Sequence, residues 1–203
     1  SMQLSTNRVK ELKKGPNKIS KSSVKTEILA RKKILFFRCH ANNVKGFTSY
    51  LSKTFHLSVP KVGFLTEVKG KQLIHVAGSL YIFIITGDGL HQKAVKDLSG
   101  FGKLQDLSGG LVMLRIDGIE SCQLVNRLVG IDAAAMGNSQ NHAVALFSQI
   151  GYLSKINTTV FELIIPSSYL TYFTSGIDAI LFRLDGMKES KIQLDDLFSK
   201  LRS

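Results

Sequence analysis

"YLSKINTTVFELIIPSSYLTYF", residues 152–173, decides how this chain folds. "VFELII" at 160–165 is an apolar, β-forming run, and "NTT" at 157–159 is a tight turn just before it. Two such runs joined by so short a turn pair back against each other. Pro166 stops the second run, because it has no N–H to give to a ladder. Ser167 and Ser168 then open a new rhythm, in which Leu170, Phe173, Ile177 and Ile180 recur at helical spacing. The stretch therefore reads strand, turn, strand, helix. Ser167 or Ser168 either caps that helix or helps its outward N–H groups cradle an anion.

The same grammar runs through the rest. "KILFFRC", 33–39, is a strand. A helix capped by Asn43 follows, with Val44, Phe47, Tyr50 or Leu51, and Phe55 at helical spacing and Pro60 closing the unit. "QLIHVAGSLYIFIIT", 72–86, gives two strands broken near Gly78, and "GDG", 87–89, turns into a short helix through Leu90, Ala94, Val95 and Leu98. "GFGKLQDLSGG", 100–110, reads as a mobile Gly-rich connection. "GLVMLRIDG", 110–118, is a strand, and Ile119, Cys122, Val125 and Val129 share one face of the next helix. "HAVALFSQIGYLSKI", 142–156, is a bent strand or a strand pair, with Gly151 a bulge candidate. Strands come in adjacent pairs and do not alternate regularly with helices. The fold class is α+β, with mixed, largely antiparallel sheets and packed helices.

Composition sets the outer bounds. The 203 residues are 44% hydrophobic and carry a net charge of +12, enough chain for one domain with a real core. Residues 1–21 concentrate Arg8, Lys10, Lys13, Lys14, Lys18 and Lys21 against Glu11, with few apolar side chains. Such a segment reads as a basic solvated arm. The domain expected after it spans 22–185, and 186–203 is a polar, amphipathic C-terminal extension. The longest wholly apolar run, "LYIFII" at 80–85, falls far short of a membrane span. No secretory h-region precedes the domain, and Cys39 and Cys122 have no metal spacing, so both are expected as buried thiols in a cytoplasmic protein.

Chemistry-bearing motifs are few. Gly100, Gly102 and Lys103 suggest a phosphate cradle but match neither the Walker nor the dinucleotide spacing. His40, His56, His75, His91 and His142 place no pair at i, i+3 or i+4, so no helix presents two metal ligands. His75 and His142 lie in strands, where a hydrogen-bonded core or edge histidine is expected. Ser108 in "DLSGG" is not a nucleophile elbow. Asp88, Asp117, Asp132 and Glu162 lie in strands or turns; Asp117 and Asp132 suit acid–base work or turn and cap roles equally. No catalytic, cofactor-binding or metal-binding residue is assigned. The basic arm favours anions, but it has no aromatic residues for base stacking, and a nucleic-acid partner is not expected.

Four segments in order carry a family resemblance: "VKTEILARKKILFFRC", "FTSYLSKTFHLSVP", "LRIDGIESCQLVNRLVGIDA" and "ALFSQIGYLSKINTTVFELIIPSSYLTYF". Over roughly 22–185 this layout resembles the gamma subunit of heterotetrameric sarcosine oxidase. It departs in "VAGSLYIF", 76–83, which keeps only Gly78 of the family's central-strand pattern, in having no Trp, and in placing Ser167 where relatives carry Arg. Without that cation the cap reading of Ser167 or Ser168 gains weight, worth about 1 kcal/mol. The resemblance implies a fold like the folate-binding half of the glycine-cleavage aminomethyltransferase. It implies a complex that demethylates sarcosine oxidatively to glycine and passes the one-carbon unit to tetrahydrofolate. In such complexes alpha is expected to carry NAD and the folate site, beta carries FAD, and FMN lies between them. Gamma carries no cofactor and packs against alpha, with beta and delta as further partners. Two other readings stay open: a free-standing folate or one-carbon binding protein, marked by a concave pocket facing Asp132 or Glu162, and a basic nucleic-acid-binding module.

Overall fold

Central strands of the two sheets explain the stretches "LYIFII" and "VFELII". The structure, a computed structural model, describes residues 24–29, 32–146 and 148–201, with side chains as far as 185. The basic arm lies outside the described residues. Ten strands form two five-stranded sheets among the described residues, and every named strand pair is antiparallel. The first sheet has the order β1 (Val24–Ile28), β7 (Leu111–Gly118), β10 (Val160–Pro166), β9 (Gln149–Lys155), β8 (Asn141–Leu146). The second has the order β3 (Phe64–Val68), β4 (Lys71–Ala77), β5 (Leu80–Thr86), β2 (Lys32–Cys39), β6 (Gly102–Asp106). Four α-helices are described: α1 (Val44–Tyr50), α2 (Asp88–Leu98), α3 (Ser121–Val129) and α4 (Leu170–Leu201).

Alternation along the strands sorts the core into three layers. Leu114, Ile116, Phe161, Leu163 and Ile165 point from the first sheet to Leu124 and Val125 of α3 and to Phe173 and Ile177 of α4. Leu35, Phe37, Tyr81, Phe83 and Ile85 point from the second sheet to Phe47 of α1, to Leu51 and Phe55 just after it, and to Ala94 and Leu98 of α2. Between the sheets, Ile34, Leu65, Ile74, Ile82 and Ile84 meet Met113 and Ile164. The stack is helix, sheet, sheet, helix. A strand in its middle is buried on both faces, so β5 and β10 lose the polar–apolar alternation that an outer strand keeps.

Several local expectations need correction. The Gly-rich connection is an edge strand, because Gly102–Asp106 pairs with β2. Gly102 is demanded by packing: a Cβ there would overlap the Arg38 carbonyl oxygen. β3 has no counterpart in the sequence reading, since its mixed burial hides any periodicity. Asn43 does not cap α1; its side-chain amide donates to the carbonyls of Gly100 (3.4 Å) and Phe101 (3.3 Å). A single wide turn, Leu51–Phe55, follows α1, and His56 in the left-handed region (φ 55°) ends it well before Pro60. Ile119 precedes α3 and is 80% exposed, while Leu124 and Val125 supply the buried face. Gly151 makes no bulge: it pairs in register with Val144, and an added Cβ would lie 3.0 Å from the Ile164 carbonyl oxygen.

Candidate functional site

The sheet–sheet layer holds the largest concentration of buried polar groups. Strand register places Glu27, Arg115, Glu162, Ser154 and Asn141 side by side across all five strands of the first sheet. Glu162, Ser154 and Asn141 are buried, as is Gln72 on β4 of the facing sheet. Glu162 lies two residues from Ile164 and Arg115 two from Met113, so both point between the sheets. Gln72 Nε2 donates to Glu162 Oε2 at 2.8 Å and to Glu67 Oε2 at 3.3 Å. Arg115 Nη1 stands 3.6 Å from Glu162 Oε1. Asn141 Nδ2 donates to the Ser154 hydroxyl at 2.9 Å and to the Leu153 carbonyl at 3.2 Å. Burial pushes the Glu162 carboxyl above its ordinary range, against the lowering effect of the Gln72 bond and the Arg115 charge. The row binds strand to strand and sheet to sheet.

Lys155, which no sequence signal marks, forms a second buried node. Its Nζ donates to the carbonyls of Met136 (2.7 Å), Ala133 (3.2 Å) and Ala134 (3.5 Å) and lies 5.7 Å from the Phe161 ring centre. The loop after α3 is thereby closed onto the sheet. Asp132 belongs to that loop and is exposed; its Oδ1 accepts the N–H groups of Ala134 (3.1 Å) and Ala135 (3.3 Å). Asp132 is thus a turn cap.

Other candidates divert into local structure. Pro166 leads into a short 3₁₀ turn, Ser167–Tyr169, and no side chain caps it. The Ser167 N–H instead donates to the Gly110 carbonyl at 2.9 Å, which corrects the expected serine cap. Ser108 Oγ accepts the Ile34 N–H at 2.9 Å. Burial pushes the Asp106 carboxyl up, but bonds from the Ser108 hydroxyl and N–H and from His91 hold it below its ordinary range. His91 Nε2 is 2.7 Å from Asp106 Oδ2, a bond that joins α2 to β6. His75 meets the carbonyls of Pro60 (2.9 Å) and Gly78 (2.8 Å) and stacks on Tyr81 at 4.3 Å. His142, His40 and His56 are exposed. Asp88 is exposed 3.8 Å from Lys33, and Asp117 is exposed near the end of β7. Lys103 is exposed on β6 and Gly100 lies in the turn before it. Cys39 is a buried free thiol, raised by burial, and Cys122 is free and half-buried. Among the described residues no group of three or more His, Cys, Asp or Glu could hold a metal, and no helix is long and apolar enough to cross a membrane.

Two depressions run along the outer side of α1. One, of about 430 Å³, is lined by Val44, Lys45, Thr48, Ser49, Ser52 and Lys53. The other, of about 560 Å³, is lined by Thr48, Ser52, His56, Leu57, Ser58 and Val59. Glu162 and Asp132 line neither.

No family model matches the chain, and no curated protein resembles it in sequence. Solved structures resemble it in fold. The heterotetrameric sarcosine oxidase from Corynebacterium sp. U-96, solved with pyrrole 2-carboxylate, contains a chain that superposes with a TM-score of 0.69 at 13% identity, over 82% of this chain and 88% of that one. The glycine cleavage system aminomethyltransferase T from Bartonella henselae superposes with a TM-score of 0.58 at 13% identity, over 77% of this chain but only 45% of that enzyme. The fold is therefore an aminomethyltransferase-like α+β fold, shared broadly with both.

Proposed function

We propose that this chain is the gamma-type subunit of a heterotetrameric sarcosine oxidase, a non-catalytic component that packs against the alpha subunit. The observation that carries this reading is the better superposition on a sarcosine oxidase chain, with a TM-score of 0.69 against 0.58 for the aminomethyltransferase. The chain corresponds to 88% of a whole sarcosine oxidase chain but to less than half of the aminomethyltransferase. The site inventory supports the reading too: Glu162, Asp106 and Ser108 are engaged by neighbouring residues, and Asp132 caps its own loop. On this reading FAD, FMN, NAD and tetrahydrofolate are held by partner subunits, the assembly converts sarcosine to glycine in the cytoplasm, and beta and delta complete it. The free-standing folate binder has less support, because Glu162 is engaged by Gln72 and Arg115 and Asp132 by the N–H groups of its own loop.

Co-expression with the flavin-carrying alpha and beta subunits of a sarcosine oxidase, followed by size exclusion read at a flavin wavelength, tests the proposal. Co-elution of this chain with a yellow complex is expected. A colourless solitary peak overturns it, and tight folate binding by that peak would install the alternative.

A further inference from the structure

Each sheet ends in two edge strands: β1 and β8 in the first, β3 and β6 in the second. Edges that are safe from other chains carry charge, proline or a bulge, because their outer N–H and C=O groups otherwise accept any extended segment. β1 carries Lys25 and Glu27, β3 carries Glu67, and β6 carries Lys103 and Asp106. β8, "NHAVAL", carries no Lys, Arg, Asp, Glu or Pro, and its pairing with β9 runs without interruption from Asn141 to Leu146.

The direction of its outer groups follows from one bond. The Asn141 N–H points away from β9 and donates to the Gly63 carbonyl at 2.8 Å. Alternation in an antiparallel ladder turns the N–H and C=O of Ala143 and Ala145 the same way. Both alanines are exposed. Their register partners are Tyr152 and Ile150, and Ile150 is 60% exposed. Tyr152 packs in the sheet–sheet layer, so Ile150 and both alanines belong to the same inner face. At this corner, among the described residues, an open backbone edge adjoins an apolar shelf.

We propose that the Ala143–Leu146 stretch of β8 receives an extended, uncharged strand of a partner subunit; this rests on the subunit reading above. Outward groups two residues apart match a strand and not a helix, whose N–H and C=O groups are consumed internally. β8 offers no Lys, Arg, Asp or Glu to a charged segment, its exposed His142 lies on the opposite face from the alanines, and the small alanines leave room for a bulky apolar side chain beside Ile150. A second copy of the chain fits less well. The Asn141–Gly63 bond and the Phe64–Gln140 bridge close the upper end of the edge, leaving a ribbon too short for a stable dimer by itself. A partner subunit would add the strand to a larger interface.

The test uses the full chain co-expressed with the same flavin-carrying subunits. Ala145→Lys puts a charge on the shelf, and Ala145→Pro removes an outward donor without touching the β9 ladder. Ala145→Ser is the control. About tenfold less flavoprotein should co-purify with the Lys and Pro variants than with the wild type or the Ser variant, at unchanged melting temperature. The amides of Ala143 and Ala145 should exchange about tenfold more slowly in the complex than in the chain alone. If the wild-type complex forms, the variants match it and those amides gain no protection, the β8 proposal falls and the subunit reading stands. If the wild type recovers no flavoprotein, both fall. A lone chain that dimerises and becomes monomeric with Ala145→Lys places a second copy on the edge and also overturns the proposal.

Discussion

β5 and β10 occupy equivalent places and solve them differently. Each is the middle strand of a five-stranded sheet, covered by helices on one face and by the other sheet on the opposite face. β5 meets the opposing sheet with Ile82 and Ile84 alone, whereas β10 meets it with Ile164 and the buried Glu162. An apolar layer is indifferent to small slips, because one Ile packs much like the next. A carboxylate with fixed partners is not. Gln72 must lie opposite Glu162 and Arg115 beside it, so the polar row pins the sheets in one arrangement. A buried charge is thereby a device for register and only a weak source of stability.

The largest effect should come from giving β5 the glutamate without its partners. Ile82→Glu buries an unmatched carboxylate between its register partners Ile74 and Phe36, at a position 0% exposed, and should cost about 3–5 kcal/mol in chemical denaturation. A loss below about 1 kcal/mol would show that the layer admits water and that the two strands are not equivalent. Next comes the edge strand that holds β2. Gly102→Ala drives a Cβ into the Arg38 carbonyl and should cost about 1–3 kcal/mol, with faster amide exchange along 102–106.

Glu162→Ala leaves Gln72 and Arg115 without their main partner and should cost about 1–3 kcal/mol. Glu162→Gln sharpens the comparison through pH. Burial raises the Glu162 carboxyl, so folding favours its protonated form. That contribution is fully present below the ordinary glutamate range and is lost as pH rises through the raised value. The Gln variant lacks it, so its stability relative to the wild type should climb across that window and then level off. Thermal melts between about pH 4 and 8 read the difference, and parallel curves would remove Glu162 as the titrating group. The smallest effect should be Ser167→Ala, within about 0.5 kcal/mol, because the serine bonds through its backbone, its N–H to the Gly110 carbonyl and its carbonyl to the Leu170 N–H.

The legible parts of the fold are those whose signal is local. "VFELII" and "LYIFII" announce buried strands, and Phe173 and Ile177 announce the inner face of α4. β3 and β6 are illegible for one reason: each is an edge, only partly covered, with glycine or charge where a pattern would show. Glu162 was visible as a carboxylate in a strand, but its partner Gln72 lies 90 residues away, and nothing local announces such a pair. Lys155 gives no signal at all, because a lysine at a strand end reads as solvent-facing until a loop supplies three carbonyls to its ammonium.

Sequence alone determined the α+β class, the paired strands, the turn at 157–159 and the inner faces of α2 and α4. Each depends on neighbours within a few residues, where side-chain periodicity and backbone chemistry act directly. Tertiary structure alone decided that the strands divide into two stacked sheets, that Gly102 is required by the Arg38 carbonyl, and that Glu162, Gln72 and Arg115 meet. Those outcomes depend on which distant surfaces exclude water together, and hydrophobic attraction has no direction by which a single strand could announce its partner.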